Sequence, residues 1–227
     1  MVRRAWNYFR RRLNGYVLRA WSSTLPKPTS GSGRFIYHTP GTRLKLRRGR
    51  GAQLNLQKNV YIQSDLGDRG DVQVNLGRNA KLDILGEFSI GAGTFIMVGE
   101  NAHLTIVGRR DSTGSGITSN TRIMVNQSMT IGADCIIAWD VFLTDCDWHQ
   151  IGEDVPAAPV VLGDRTWVAK GASILKGTTI GSDSVVACGS VVPGKTYSSH
   201  SLIAGNPARV VRQNVTWCRE MNAVFDS

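Results

Sequence analysis

No carboxylate occurs in the first 64 residues: Asp65 is the first acid, and 14 lysines and arginines precede it. The rest of the 227-residue chain holds 13 basic against 17 acidic residues, so the net charge of +10 belongs to the N-terminus. That asymmetry points to an anionic surface as partner. Paired cysteines are missing too. Cys135, Cys146, Cys188 and Cys218 form no CxxC pair, which excludes zinc-ribbon spacing and a disulfide framework and fits a reducing compartment. Nor is any uninterrupted apolar run long enough for a signal peptide or a membrane span. A cytoplasmic location is expected. Aromatics make up only 7% of the chain, against 25 glycines, which favours a turn-rich β architecture.

Residues 1–21, MVRRAWNYFRRRLNGYVLRAW, set Val2, Trp6, Phe9, Leu13, Tyr16, Val17, Ala20 and Trp21 at helical i, i+3, i+4 spacing. Arg3, Arg4, Arg10, Arg11, Arg12 and Arg19 fall on the flanks and the opposite side. This predicts a basic amphipathic helix, suited to lie on anionic lipid at the inner face of a membrane. Packing of its apolar stripe on its own domain or on a sister subunit is the alternative; nucleic acid is not expected. Residues 22–33, SSTLPKPTSGSG, read as a linker.

Short alternating pieces follow from Arg34 to about Gly108, among them LNL, VQVNL, LDIL and LTI, and GRGAQLNL, GRNAKLDIL and GENAHLTI repeat one unit. From Ile131 the repeat tightens to six residues, through IGADCI and IAWDVF to LTDCDW. It stops after Leu143, resumes at Leu162, and runs on through Val168, Ile174, Ile180, Val186 and Val192. The fifth position is usually small or β-branched: Cys135, Val141, Thr166, Ala172, Thr178, Ser184, Ser190. A period of six returns to no single helical face and is not strict alternation. It fits one short strand plus a corner, three such units closing a triangular coil, with the aliphatic residue inside and the small one beside the corner. The fold expected is all-β, a left-handed parallel β-helix over 34–212 in which each coil buries its face on its neighbours. Residues 213–227 form a C-terminal tail, expected as a short helix or extension.

At the break stand Asp145, Asp147 and His149, on a loop expected near 144–161. Histidine suits a general base because its ordinary pKa of about 6.5 leaves it largely neutral near pH 7. An acid nearby could fix its tautomer. By phase Asp147 falls on a fifth position, where the other units carry small or aliphatic residues. Either aspartate could equally cap a turn or contact an acceptor.

Three pieces carry a resemblance to a known family: DCDWH at the break, RTWVAKGASILKGTTIGSDSVVACGSVV, and IAGNPARVVR at 203–212. With them the chain resembles the hexapeptide-repeat acyltransferases, in the branch that acetylates sugars and surface polysaccharides. The likeness is specific over 131–212 and looser over 44–108. It implies a homotrimer that binds acetyl-coenzyme A along the groove between adjacent solenoids. The acetyl group would pass directly to a sugar hydroxyl of a glycan, with His149 as base, Asp147 or Asp145 as its orienter, and backbone N–H groups facing the developing oxyanion. By motif, the cofactor would run past Trp167, Ala169, Lys170 and Cys188. Arg209 would meet its phosphates, where a guanidinium fork fits. Lys195 belongs to the same set, although here it follows Pro193 and Gly194 and so stands one place later than the family's lysine. Asn120 is a loose match for an acceptor contact.

No metal is expected, because His149 lacks the HxxxxH-type partner of the trimeric zinc carbonic anhydrases. The alternatives are N-acetylation of an amino-sugar nucleotide and a non-catalytic binding or structural solenoid.

Overall fold

The computed structural model describes residues 25–39, 42–64, 68–111 and 114–220. The helix expected at 1–21, the start of the linker and the end of the tail lie outside these residues. Within them every strand is short, and each but the last pairs in parallel with the third strand along the chain. The strands sort into three sheets, the faces of a triangular prism. Face 1 has nine strands, from Phe35–Tyr37 to Ala208–Arg212; face 2 has seven, from Leu44–Arg48 to Val191–Val192; face 3 has seven, from Gln53–Leu56 to Thr196–Tyr197. This is the left-handed parallel β-helix.

The six-residue beat explains the packing. Ile131, Ile137, Leu143, Leu162, Val168, Ile174, Ile180, Val186 and Val192 are each no more than 1% exposed, and they stack into one continuous core. Burying each aliphatic side chain is worth about 1.5–3 kcal/mol, gained only when the next coil is in place. The fifth residues sit buried beside the corners, where hydroxyls find local carbonyls. Thr166 Oγ1 donates to Gly163 O at 2.8 Å and Thr178 Oγ1 to Leu175 O at 2.7 Å. At the edge between faces 1 and 2 the turn needs a left-handed residue, and Asn120, Asp140, Gly171 and Gly189 supply it in successive coils, with φ of 52°, 57°, 69° and 67°.

Both ends depart from the sequence reading. Residues 29–33 are a further strip of coil rather than a free linker. Thr29 N donates to Leu54 O, Leu56 N to Ser30 O and Gly33 N to Leu56 O. At the other end, Leu202–Gly205 and Ala208–Arg212 form an antiparallel hairpin that closes face 1. Residues 213–220 then take no helical form. They run back up the edge between faces 3 and 1, where Val215 N donates to His200 O, Trp217 Nε1 to Arg165 O (2.9 Å) and Arg219 to Gly114 O (2.6 Å).

Candidate active site

The solenoid is interrupted at the edge between faces 2 and 3. In the next coil this edge takes only Leu175–Thr178; here the chain leaves face 2 at Thr144 and regains face 3 at Val160. The intervening loop is fixed at its root from both sides. From the coil above, the fully buried Asp145 accepts the backbone N–H groups of Asn126, Gln127 and Ser128 at 2.7–2.8 Å. Burial pushes this carboxyl above its ordinary range, while the three amide donors pull the other way. From the coil below, Lys176 forms an ion pair with Asp147 and donates to Val155 O at 2.6 Å. Gly177 N donates to Ala158 O, and Ala158 N to Asp145 O. At the outer end of this loop His149 is exposed and makes no hydrogen bond or ion pair with another described residue.

The two aspartates have different surroundings. Asp145 is enclosed, and its oxygens hold the turn at 126–128. Asp147 is on the loop and not at a core corner, because the chain has already left the coil. Its carboxylate faces Lys176 instead of His149. Nothing in the sequence singled out Lys176, which reads there as one charge in a hexad; its partners are 21 and 29 residues away.

The cofactor candidates gather elsewhere. Lys170 lies at the edge between faces 1 and 2, 3.7 Å from Asp140, with Ala169 beside it. Cys188 lies one coil below, joined through Gly189 N to Lys170 O. Arg209, exposed, pairs with Ala204 at the foot of the same edge. Asn120 tops this column, its side chain turned toward Gly93. The strip is open at Gly189, where an added Cβ would meet nothing within 4 Å. A long, flexible ligand could lie against it without displacing side chains.

The two other cofactor candidates lie away from this strip. Trp167 packs on Trp217 of the returning tail, ring centres 5.9 Å apart, and Arg165 covers Trp217 at 5.7 Å. Lys195 stands at the edge of the His149 loop, away from Lys170 and Cys188. One chain thus carries two half-sites, separated by the width of face 2. Of the thiols, Cys146 is buried at the root of the loop, its Sγ accepting from Trp148 N at 3.2 Å. Cys135 is buried, and burial pushes its thiol up to about 12. Among the described residues no cluster of three or more His, Cys, Asp or Glu could hold a metal ion.

A triangular parallel solenoid with, among the described residues, a single histidine-bearing excursion defines a class before any relative is considered, and comparison with known proteins agrees. Residues 159–194 match the family model "Bacterial transferase hexapeptide (six repeats)". The putative lipopolysaccharide biosynthesis O-acetyl transferase WbbJ of Escherichia coli K12 is 30% identical over 165 residues, covering 64% of this chain and 74% of that protein. The chain belongs to the hexapeptide-repeat acyltransferase family. It is also 32% identical over 120 residues to a polysialic acid O-acetyltransferase of Escherichia coli O1:K1; that match covers half of this chain and 38% of the relative's length. The crystal structure of the polysialic-acid-specific acetyltransferase NeuO aligns with a TM-score of 0.44 at 22% identity, over 84% of this chain and 85% of that one.

Proposed function

We propose that this protein transfers an acetyl group from acetyl-coenzyme A to a hydroxyl of a glycan, with His149 as general base. One observation carries the reading: among the described residues, His149 stands exposed and unpartnered on the one long excursion from the hexad coil, on a loop fixed by Asp145 above and Lys176 below. A base needs that combination of a free ring nitrogen and a held backbone, since positioning supplies much of the rate.

In the proposed reaction neutral His149 takes the acceptor's hydroxyl proton as its oxygen attacks the thioester carbonyl. The C–S bond then breaks, and the imidazolium returns the proton to the departing thiolate, so atoms and charge balance without an acyl-enzyme. Acetyl-coenzyme A supplies the activated acyl group. Ala169, Lys170, Cys188 and Arg209 would hold it along the edge between faces 1 and 2, with Arg209 toward its phosphates. Because the two half-sites lie on different edges, a complete site requires the His149 loop of one copy beside the Lys170–Cys188 edge of another. A homotrimer of parallel solenoids meets that requirement. The glycan acceptor follows the names of the two relatives, a polysialic acid O-acetyltransferase and a putative O-acetyl transferase of lipopolysaccharide biosynthesis. The enzyme is assigned to the cytoplasm, with residues 1–21 as an amphipathic anchor on the inner face of the membrane.

The test is release of coenzyme A thiol across a panel of sugars, sugar nucleotides and lipid-linked glycans, with wild type and His149→Ala side by side. Turnover of a glycan by wild type and its loss in the variant support the reading. Equal rates for the two proteins overturn it.

A further inference from the structure

The first coil has a charge pattern that acyl transfer does not use. Lys27, Arg34, Arg47, Arg48, Arg50 and Lys58 are all exposed, and none has an acidic partner among the described residues. Two further cations of this coil, Arg43 and Lys45, share Asp71 of the next. Deeper in the solenoid many charges are matched: Arg78 with Glu100, Lys81 and His103 with Asp83, Arg109 with Glu87, Arg110 with Asp164. There Arg69, Arg122, Lys195, Arg209 and Arg212 are exposed without an acidic partner among the described residues. Unmatched positive charge is densest in the first coil, which holds six such cations and no acid.

The placement of these residues says what shape they fit. Arg34 precedes the first strand of face 1, and Arg47 and Arg48 lie on the first strand of face 2. Arg50 follows on the edge between faces 2 and 3, and Lys58 on the edge between faces 3 and 1. Lys27 closes the top, its carbonyl taking a hydrogen bond from Arg48. The cations ring the end of the prism instead of tracking one groove. A linear polyanion would need a file of charges along a face; a ring round the end suits a plane perpendicular to the solenoid axis. Leu25 packs on the core at this same end, and the sequence before it, residues 1–24, has six arginines and no acid.

We propose that the first coil is a docking surface for an anionic lipid bilayer, on which the solenoid stands end-on with its first coil down. The His149 loop springs from the fifth strand of face 2, four strand spacings from the first. At roughly 4.8 Å each, that places it about 19 Å above the docking plane. If His149 is the base, as proposed above, the acceptor hydroxyl is presented about that far from the headgroups, on the sugars of a lipid-linked chain.

Co-sedimentation of the full chain with vesicles tests this, comparing phosphatidylcholine alone with phosphatidylcholine plus phosphatidylglycerol. Wild type should bind only the anionic vesicles, more weakly as salt rises. The triple variant Arg47→Gln, Arg50→Gln, Lys58→Gln should bind them about ten- to a hundredfold more weakly, whereas Arg109→Gln with Arg212→Gln, far from the first coil, should bind as wild type does. Turnover of a soluble acceptor by the triple variant should stay unchanged, which shows that it folds. Undiminished vesicle binding by the triple variant overturns the proposal, as does tighter binding to soluble heparin than to vesicles. His149→Ala should dock normally, so failure of the catalytic reading and failure of the docking reading are separate results.

Discussion

The coils before the histidine loop and those after it solve one packing problem in different ways. Before it, most strands run four to six residues, as in Val72–Leu76 and His103–Gly108, and the coils differ in length: Phe35 pairs with Val60, Val60 with Phe88, Gly116 with Ile136. After it, most strands shrink to two residues and the coil settles near three hexads, Trp167 over Val185 and Val185 over Leu202. The inward aliphatics are equally buried in both halves. Coil regularity is therefore not needed for a sealed core. It matters where chemistry must be held: the loop is gripped by Lys176 of a regular coil, and the strip at Lys170 and Cys188 depends on corners repeating in register.

The comparison breaks most sharply at the loop itself. His149→Ala should lower kcat/KM about 10²- to 10⁴-fold in the thiol-release assay while leaving the melting temperature where it was, since the side chain is exposed and unpartnered. Next come matched cavities in the two halves. Ile174→Ala and Leu82→Ala, both at 0–1% exposure, should each cost about 2–5 kcal/mol in denaturant unfolding. Only Ile174→Ala, whose coil carries Lys176, should also slow turnover under conditions where both variants remain folded. Equal slowing by both would show that the halves are not mechanically distinct.

A smaller effect isolates the grip on the loop. Lys176→Met should reduce kcat about tenfold with KM for the thioester little changed, because a misplaced base costs rate more than binding. Lys176→Arg should restore much of it. A KM defect with unchanged kcat would place Lys176 in substrate binding instead. The smallest effect lies in the first half. Burial opposes ionisation of Asp83, yet hydrogen bonds from Asn55, His103 and Lys81 hold its carboxyl below the usual range. A lowered carboxyl stabilises the fold above its unfolded pKa of about 4, and that stability is lost as pH falls through the folded value. Thermal melts at roughly pH 6 and pH 3 should therefore show a larger loss for wild type than for Asp83→Asn.

What could be read from the chain without coordinates follows from periodicity. Period six with small fifth residues dictates a triangular coil because no helix or alternating strand returns a face at that interval, so Ile131 through Val192 were assignable to the core one by one. The break after Leu143 was legible for the same reason, and with it His149 as the exposed group at the interruption. The partners of that histidine's neighbours were not legible. Asp145 and Asp147 are chemically alike and two residues apart, but one is enclosed by the amides of Asn126, Gln127 and Ser128 while the other meets Lys176. Stacking the coils decides which is which, because it brings together residues about 20 to 30 positions apart. Trp167 was likewise diverted to Trp217 by a tail that doubles back along an edge. Sequence alone set what each coil is, since that depends on spacing within a hexad. Tertiary structure alone decided which side chains meet between coils, since hydrogen bonds and ion pairs act over a few ångströms of space and carry no mark of their separation along the chain.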